Sequence, residues 1–191
     1  MDNAPIQILP LTAERVTDFL AFFEGPAFAD NPKWRTCYCQ FLYVDHAKVH
    51  WMSRTGEENK AAACHRIAAD RMQGLLAYKA GQVVGWCNAA PRTLMDAFSD
   101  EPDPDAERLG QITCFVVAKE HRRTGVATAL LDAACAHLRA QGLHIAEAAP
   151  KPETQGDAEN HYGPMSMFLK AGFHVHKNAD HGSVCVRKAL V

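Results

Sequence analysis

The stretch that decides the fold is FVVAKEHRRTGVATALLDAA, residues 115–134. Its first residues close a run from Ile112 to Val117 rich in β-branched and aromatic side chains, the composition of a strand. The polar run Lys119 to Thr124 follows. From Ala127 onward, Leu130, Leu131, Ala134 and Leu138 recur on one helical face, and Gly142 stands where a C-terminal cap is wanted. The stretch therefore predicts strand, tight loop, helix. A helix N-terminus carries unpaired backbone N–H groups and the positive end of the macrodipole, so such a loop holds a pyrophosphate without base-like side chains. Gly125 removes the Cβ that would block close approach, Ala127 is small for the same reason, and Arg122 and Arg123 add charge beside the phosphates.

The string RRTGVA, Arg122 to Ala127, follows the pattern Arg or Gln, two residues, Gly, one residue, Gly or Ala, and resembles the acetyl-CoA loop of the GNAT N-acetyltransferases. FLKAGF, Phe168 to Phe173, resembles the family's later helix-to-strand turn ending in Gly-Phe, and its distance from Gly125 suits the family. The motifs cover roughly residues 111–175, and the element order extends the likeness over the whole chain. The resemblance implies acetyl-CoA as co-substrate, with Arg122, Arg123, Thr124, Gly125, Val126 and Ala127 on its pyrophosphate. It implies that the strand splays from its neighbour, often at a bulge, so that the backbone of Phe115, Val116 and Val117 pairs with the pantetheine arm as an added strand would. It further implies transfer by direct attack, and a monomer or a homodimer.

Working outward, Ile6 to Leu9 predicts a short strand, and Val16, Phe19, Leu20 and Phe23 a first helix. Residues 25–53 mix prolines, aromatics and polar residues without a period and read as a loop with short helical pieces. A second helix is expected from Glu57 to Met72, a hairpin from Leu75 to Tyr78 and Val83 to Asn88, and an acidic surface loop from Arg92 to Arg108. After the long helix come a strand from His144 to Ala148, a polar loop, a short helix from Tyr162 to Ala171 and a last strand from Val184 to Ala189. The order predicts one α/β domain over residues 1–191. That domain is expected to have a single mixed, mostly antiparallel central sheet with helices on both faces and a parallel pair, which the resemblance implies is splayed at the acyl-CoA site.

Composition narrows the function. A net charge of −2 with no local Lys/Arg cluster gives no footprint for nucleic acid. Nothing near Met1 reads as a secretion signal and no apolar run approaches a spanning helix, so no membrane partner and a cytoplasmic location are expected. Seven scattered cysteines suit reduced thiols.

Acetyl transfer needs a neutral amine, and an alkylammonium with a pKa of about 10.4 is almost wholly protonated at pH 7. A base is therefore wanted, together with a proton for the departing thiolate. The family often places a Tyr as acid at the position held here by Phe168, so Tyr162, six residues earlier, is the candidate acid. Glu147, the carboxylate on the strand after the long helix, is the candidate base; His161 is a further titratable group, and Cys114 reads as a small core residue rather than a nucleophile. In WRTCYCQF, Trp34 to Phe41, Cys-x-Cys with His46 and His50 invites zinc, but paired Cys-x-x-Cys spacings are missing and no metal is expected. Trp34 and Tyr38, with Phe41, Tyr43 and Trp51, read as walls of an acceptor pocket for a small-molecule or peptidyl amine. The acidic residues between Asp96 and Glu107, with Glu153, Asp157 and Glu159, would favour a cationic acceptor if they border its entrance. The alternative to an enzyme is a non-catalytic acyl-CoA-binding regulatory module of the same fold.

Overall fold

A computed structural model describes residues 4–152, 156–178 and 182–191. Seven strands form one sheet: β1 (Gln7–Pro10), β2 (Gly74–Lys79), β3 (Gln82–Pro91), β4 (Leu109–Val117), β5 (Ile145–Ala148), β6 (His174–Asn178) and β7 (Val184–Ala189). Their spatial order is β1-β2-β3-β4-β5-β7-β6. Among the described residues only β4 and β5 are parallel; every other pairing there is antiparallel. The mixed α/β fold, mostly antiparallel with one parallel pair, is the expected one.

Strand alternation sorts the core into two layers. Leu75, Ala77, Val84 and Ile112 face α3 (Val126–Ala140) and α4 (Met165–Lys170), while Leu76, Tyr78, Trp86 and Ala90 face α1 (Val16–Glu24) and α2 (Gly56–Ala68). In α1 the buried Phe19, Phe22 and Phe23 share one face, and Phe19 meets Trp86 edge-on at 5.0 Å. A capping box starts α2: the Thr55 Oγ1 accepts from the Glu58 N–H and the Glu58 carboxylate accepts from the Thr55 N–H.

Both later helices end as the glycines foretell. Gly142 has φ +80°, and the Leu143 and Gly142 N–H groups bond to the Leu138 and Arg139 carbonyls. The FLKAGF turn repeats this geometry, with the Phe173 N–H on the Phe168 carbonyl and the two rings 5.2 Å apart. Each is a Schellman closure with its apolar contact.

Three elements differ from the sequence reading. β6 is not anticipated, because HVHKN is exposed throughout, has no alternation and is held only by pairing with β7 at the sheet edge. α2 stops at Ala68, before the expected Met72, and Asp70 takes a left-handed backbone. Tyr162 does not start α4: it ends a separate 3-10 turn, Asp157–Tyr162, and Gly163 and Pro164 intervene. The segment expected to be irregular holds four 3-10 turns, at Pro26–Phe28, Pro32–Cys37, Phe41–Tyr43 and Trp51–Ser53.

Candidate active site

The site is organised by β4. Its pairing with β5 covers only Leu109, Gly110 and Gln111, yet β4 runs on to Val117, so its second half leaves β5 behind. Against β3, Trp86 stands opposite Val116 and Asn88 opposite Thr113, which puts Cys114 and Phe115 across from the single residue Cys87. This is a β-bulge, and Cys114 takes φ +55° to form it. The extra residue reverses the alternation. Before it Thr113 faces the α1 side; after it Phe115 packs with the α3 layer and Val116 with the α1 layer.

Beyond Val117, Arg123 and Gly125 both have left-handed backbones, φ +61° and +88°, which turn the chain sharply into α3. A Cβ built on Gly125 would meet nothing within 4 Å, and no side-chain cap bond satisfies the first N–H groups of the helix. Val126 is buried and its methyl would lie 2.8 Å from a Cβ at Gly85, so the missing side chain there lets α3 settle on β3. The Thr124 hydroxyl donates to the His121 carbonyl at 2.7 Å, tying the loop to itself. The Arg122 Nε donates to the Val117 carbonyl, and its terminal nitrogens grip Asp30 at 2.7 and 3.0 Å. That grip holds the Asp30 carboxyl below its ordinary range. These residues fit a pyrophosphate: backbone donors, a glycine cradle and a guanidinium.

Two cavities meet beside β4. The smaller, about 120 Å³, runs past Phe115, Val116, Val117, Asp30 and Arg122. The larger, about 350 Å³, is bounded by Phe23, Phe28, Phe41 and Trp51, with Thr113, Cys114, Asn88 and Tyr162 also lining it. Trp34, Phe28, Val116 and His161 border both, so the two spaces share a wall. His161 stands edge-on to Trp34 at 4.7 Å and 4.2 Å from the Tyr162 ring. The Tyr162 phenol is pushed up by burial first and then by the Cys114, Cys37 and Cys39 sulfurs, which keeps it protonated. Thr113 is 4% exposed and its Oγ1 has no protein partner, a buried polar atom on the cavity wall.

The site residues read from sequence divide. Trp34, Tyr162, Phe115, Val116, Val117 and Arg122 come together on these cavities. Tyr38 does not: it stacks on Phe23, donates its hydroxyl to Glu24 at 3.0 Å and borders a different surface hollow. Glu147 does not either. Arg92 binds one of its oxygens at 3.1 Å and Arg187 the other at 2.7 Å, deep in the sheet, and it lines neither cavity. A carboxylate with both oxygens on guanidiniums is a structural anchor rather than a base. The acidic loop is committed likewise: Glu101 to Arg92, Asp103 and Asp105 to Arg187, Asp96 to Arg66. Glu153 lies outside the described residues, as do the side chains of Asp157 and Glu159. Phe168 is fully buried, edge-on to Phe115 and Phe173, with no exposed face toward the cavity. Among the described residues, no group of three or more His, Cys, Asp and Glu side chains is placed to hold a metal ion. Among them also, no helix is long and apolar enough to cross a membrane.

Sequence reasoning missed Thr113, Asn88 and Asp30. Thr113 was open to discovery as a polar residue in an apolar strand beside the loop; nothing local marks Asp30, which meets Arg122 from 92 positions away.

The sheet opens beside a glycine-started helix, next to two cavities that share lining residues. Residues 34–162 match the acetyltransferase (GNAT) family, well over half of the chain, and the protein belongs to that family. No curated protein sequence matches it. Among solved structures it is similar to the GNAT domain of S. lividans PAT, at 18% identity and a TM-score of 0.61, covering 96% of this chain and 90% of that one. It is also similar to yncA of Salmonella typhimurium, solved with its cofactor acetyl-CoA, at 12% identity and 0.57, covering 97% and 94%. The ribosomal-protein-alanine N-acetyltransferase of Brucella melitensis aligns at 17% identity and 0.56, covering 96% and 99%. At these identities the likeness speaks for the fold.

Proposed function

We propose that the protein transfers an acetyl group from acetyl-CoA to a primary amine on a small molecule or peptide. The observation that carries this reading is the shared wall of the two cavities at Trp34, Val116 and His161, beside the stretch of β4 that has left β5 and bulges against β3. The pyrophosphate sits on the first turn of α3 and Gly125, beside Arg122 and Arg123, and the pantetheine arm runs along the edge of β4 that β5 has left, at Phe115 to Val117. The acceptor enters the larger cavity, whose volume suits a small ligand.

In the overall reaction the thioester C–S bond breaks, an amide C–N bond forms, and the amine's proton ends on the CoA sulfur. Tyr162, on the cavity wall with its phenol pushed up by burial, hands that proton on. Glu147 is not retained as base. A backbone N–H at the bulge is the group that would meet the developing oxyanion. A non-catalytic acyl-CoA-binding module is the second reading, favoured by Phe168 where the family often has its acid. An acetyl-CoA screen against a broad panel of amines, followed by thiol release and mass spectrometry, separates the two. Release with a defined acetylated product is expected; CoA binding with no release across the panel would favour the module.

A further inference from the structure

The wall of the larger cavity narrows the acceptor. Phe23, Phe28, Trp34, Phe41, Trp51 and Tyr162 line it. The rings hold one another in place. Phe23 meets Phe28 edge-on at 5.5 Å, Phe41 meets Trp51 edge-on at 5.2 Å, and Trp34 stands edge-on to His161 at 4.7 Å. Their burial is nevertheless incomplete: Trp34 and Trp51 are only partly buried, and Phe41 is 40% exposed. Large rings left half-open around one concave space mark a surface whose burial a ligand completes.

One polar group in this wall is short of a partner. Among the described residues, buried side-chain oxygens without a protein partner occur on Gln73, Gln111 and Thr113, and of these three only Thr113 lines the cavity. A hydroxyl both donates and accepts, and a buried one left unpaired costs free energy that a polar group of a ligand recovers. Asn88, its neighbour on the wall, is already committed: its amide nitrogen donates to the Tyr43 hydroxyl at 3.0 Å. Thr113 directly precedes the bulge at Cys114, two positions before Phe115, where the thioester arm is placed under the proposed function.

Charge and size restrict the rest of the ligand. Among the described residues no Asp or Glu lines the larger cavity, while the exposed Lys33 does. Asp30, on the smaller cavity, is taken up by Arg122. A second ammonium on the acceptor would therefore meet a like charge and no carboxylate among those walls. An apolar cavity of about 150 Å³ holds a benzene ring. The volume here, about 350 Å³, has room for one ring system on a short arm.

We propose that the acceptor is an arylalkylamine: an aromatic ring set among the rings of the wall, one primary amine on a short chain at the Thr113 hydroxyl, and no second cationic group. This deepens the proposed function and rests on it. Thr113 is a positioning residue. Its Oγ1 accepts an N–H of the neutral amine, which leaves the nitrogen lone pair for the thioester carbonyl beside the bulge. The cationic acceptor that the acidic loop suggested from sequence is replaced by one chosen for its ring.

The test measures kcat/KM of the full-length protein with acetyl-CoA and phenethylamine, tryptamine, butylamine, spermidine or a basic tripeptide. Calorimetry with and without CoA reads acceptor binding apart from turnover. Phenethylamine or tryptamine should exceed butylamine at least about tenfold, as burial of a ring implies, with spermidine and the tripeptide poorest. Trp51→Ala, which is clear of the smaller cavity, should narrow the gap between phenethylamine and butylamine. Thr113→Val should lower kcat/KM for phenethylamine about three- to tenfold without lowering the denaturation midpoint, and Thr113→Ser should restore it. Equal efficiency across the panel, or a preference for spermidine or the tripeptide, overturns the proposal and leaves the proposed function standing. So does Thr113→Val with wild-type kinetics, since it removes the assigned anchor. Saturable binding of phenethylamine that Trp51→Ala weakens, with no thiol release from any amine, would support the aromatic ligand and sink acetyl transfer instead. Neither binding nor turnover of the arylalkylamines overturns the proposal outright.

Discussion

The two ends of β4 are built on opposite plans. At Leu109 to Gln111 the strand is zipped to β5, and Glu147, opposite Gln111, is clamped between Arg92 and Arg187, with Glu101, Asp103 and Asp105 beyond them. From Ile112 to Val117 the strand parts from β5, bulges at Cys114, and borders two cavities with an unpartnered Thr113 hydroxyl on the wall. One end spends its charges on each other and rigidifies the sheet. The other leaves backbone and side-chain groups free for ligands. At the closed end both oxygens of Glu147, the carboxylate that looked catalytic from sequence, are held by arginines.

The largest expected effect breaks the closed end. Glu147→Ala leaves two buried guanidiniums without their shared carboxylate and should cost about 3–5 kcal/mol, measured by urea denaturation. If stability is unchanged and only kcat falls, Glu147 belongs to the chemistry after all. The same network carries a pH signature. Burial pushes the Asp103 carboxyl up, but the Asp105 N–H and the Arg187 guanidinium outweigh this and hold it below its ordinary 3.8. A lowered carboxyl contributes stability above its unfolded pKa and loses it as pH falls through the folded one, so this part of the network should fail only in acid below about pH 4.

At the open end, Tyr162→Phe should lower kcat by about 10²-fold or more while leaving the denaturation midpoint near wild type, as expected for a proton donor on a cavity wall. Unchanged kcat would assign the proton to water. Gly125→Glu puts a carboxylate where the phosphates approach and a side chain on a left-handed backbone. Losing one or two charge-assisted hydrogen bonds should weaken CoA binding at least about tenfold in calorimetry; equal affinity in a folded variant would remove the loop from the binding site.

The smallest effect sharpens the contrast between ends. Arg122 is the one residue of the phosphate loop gripped by a distant carboxylate, Asp30, in a partly exposed pair. Asp30→Asn should release the guanidinium and tighten CoA severalfold at most, since exposed ion pairs are worth about 0–1 kcal/mol, with the gain shrinking in high salt. Weaker binding instead would make Asp30 a support for Arg122 rather than its competitor.

The sequence by itself determined what depends on near neighbours. The turn into α3 and the glycine closures at Gly142 and Gly172 are made by residues within a few positions of one another, so local chemistry states them. The order of elements then pointed to a single mixed sheet with a parallel pair, without its strand order. Tertiary structure alone decided the rest. β6 exists because β7 offers it an edge; the bulge at Cys114 reverses which side chains face the cavity; and Glu147 loses its candidacy to arginines 55 positions before it and 40 after it. The cavity joins Trp34, Cys39, Trp51, Thr113 and Tyr162 from four separate segments. A burial pattern tells which face a residue prefers, but not which distant partner meets it there, because that is fixed by the packing of whole layers rather than by any stretch of chain.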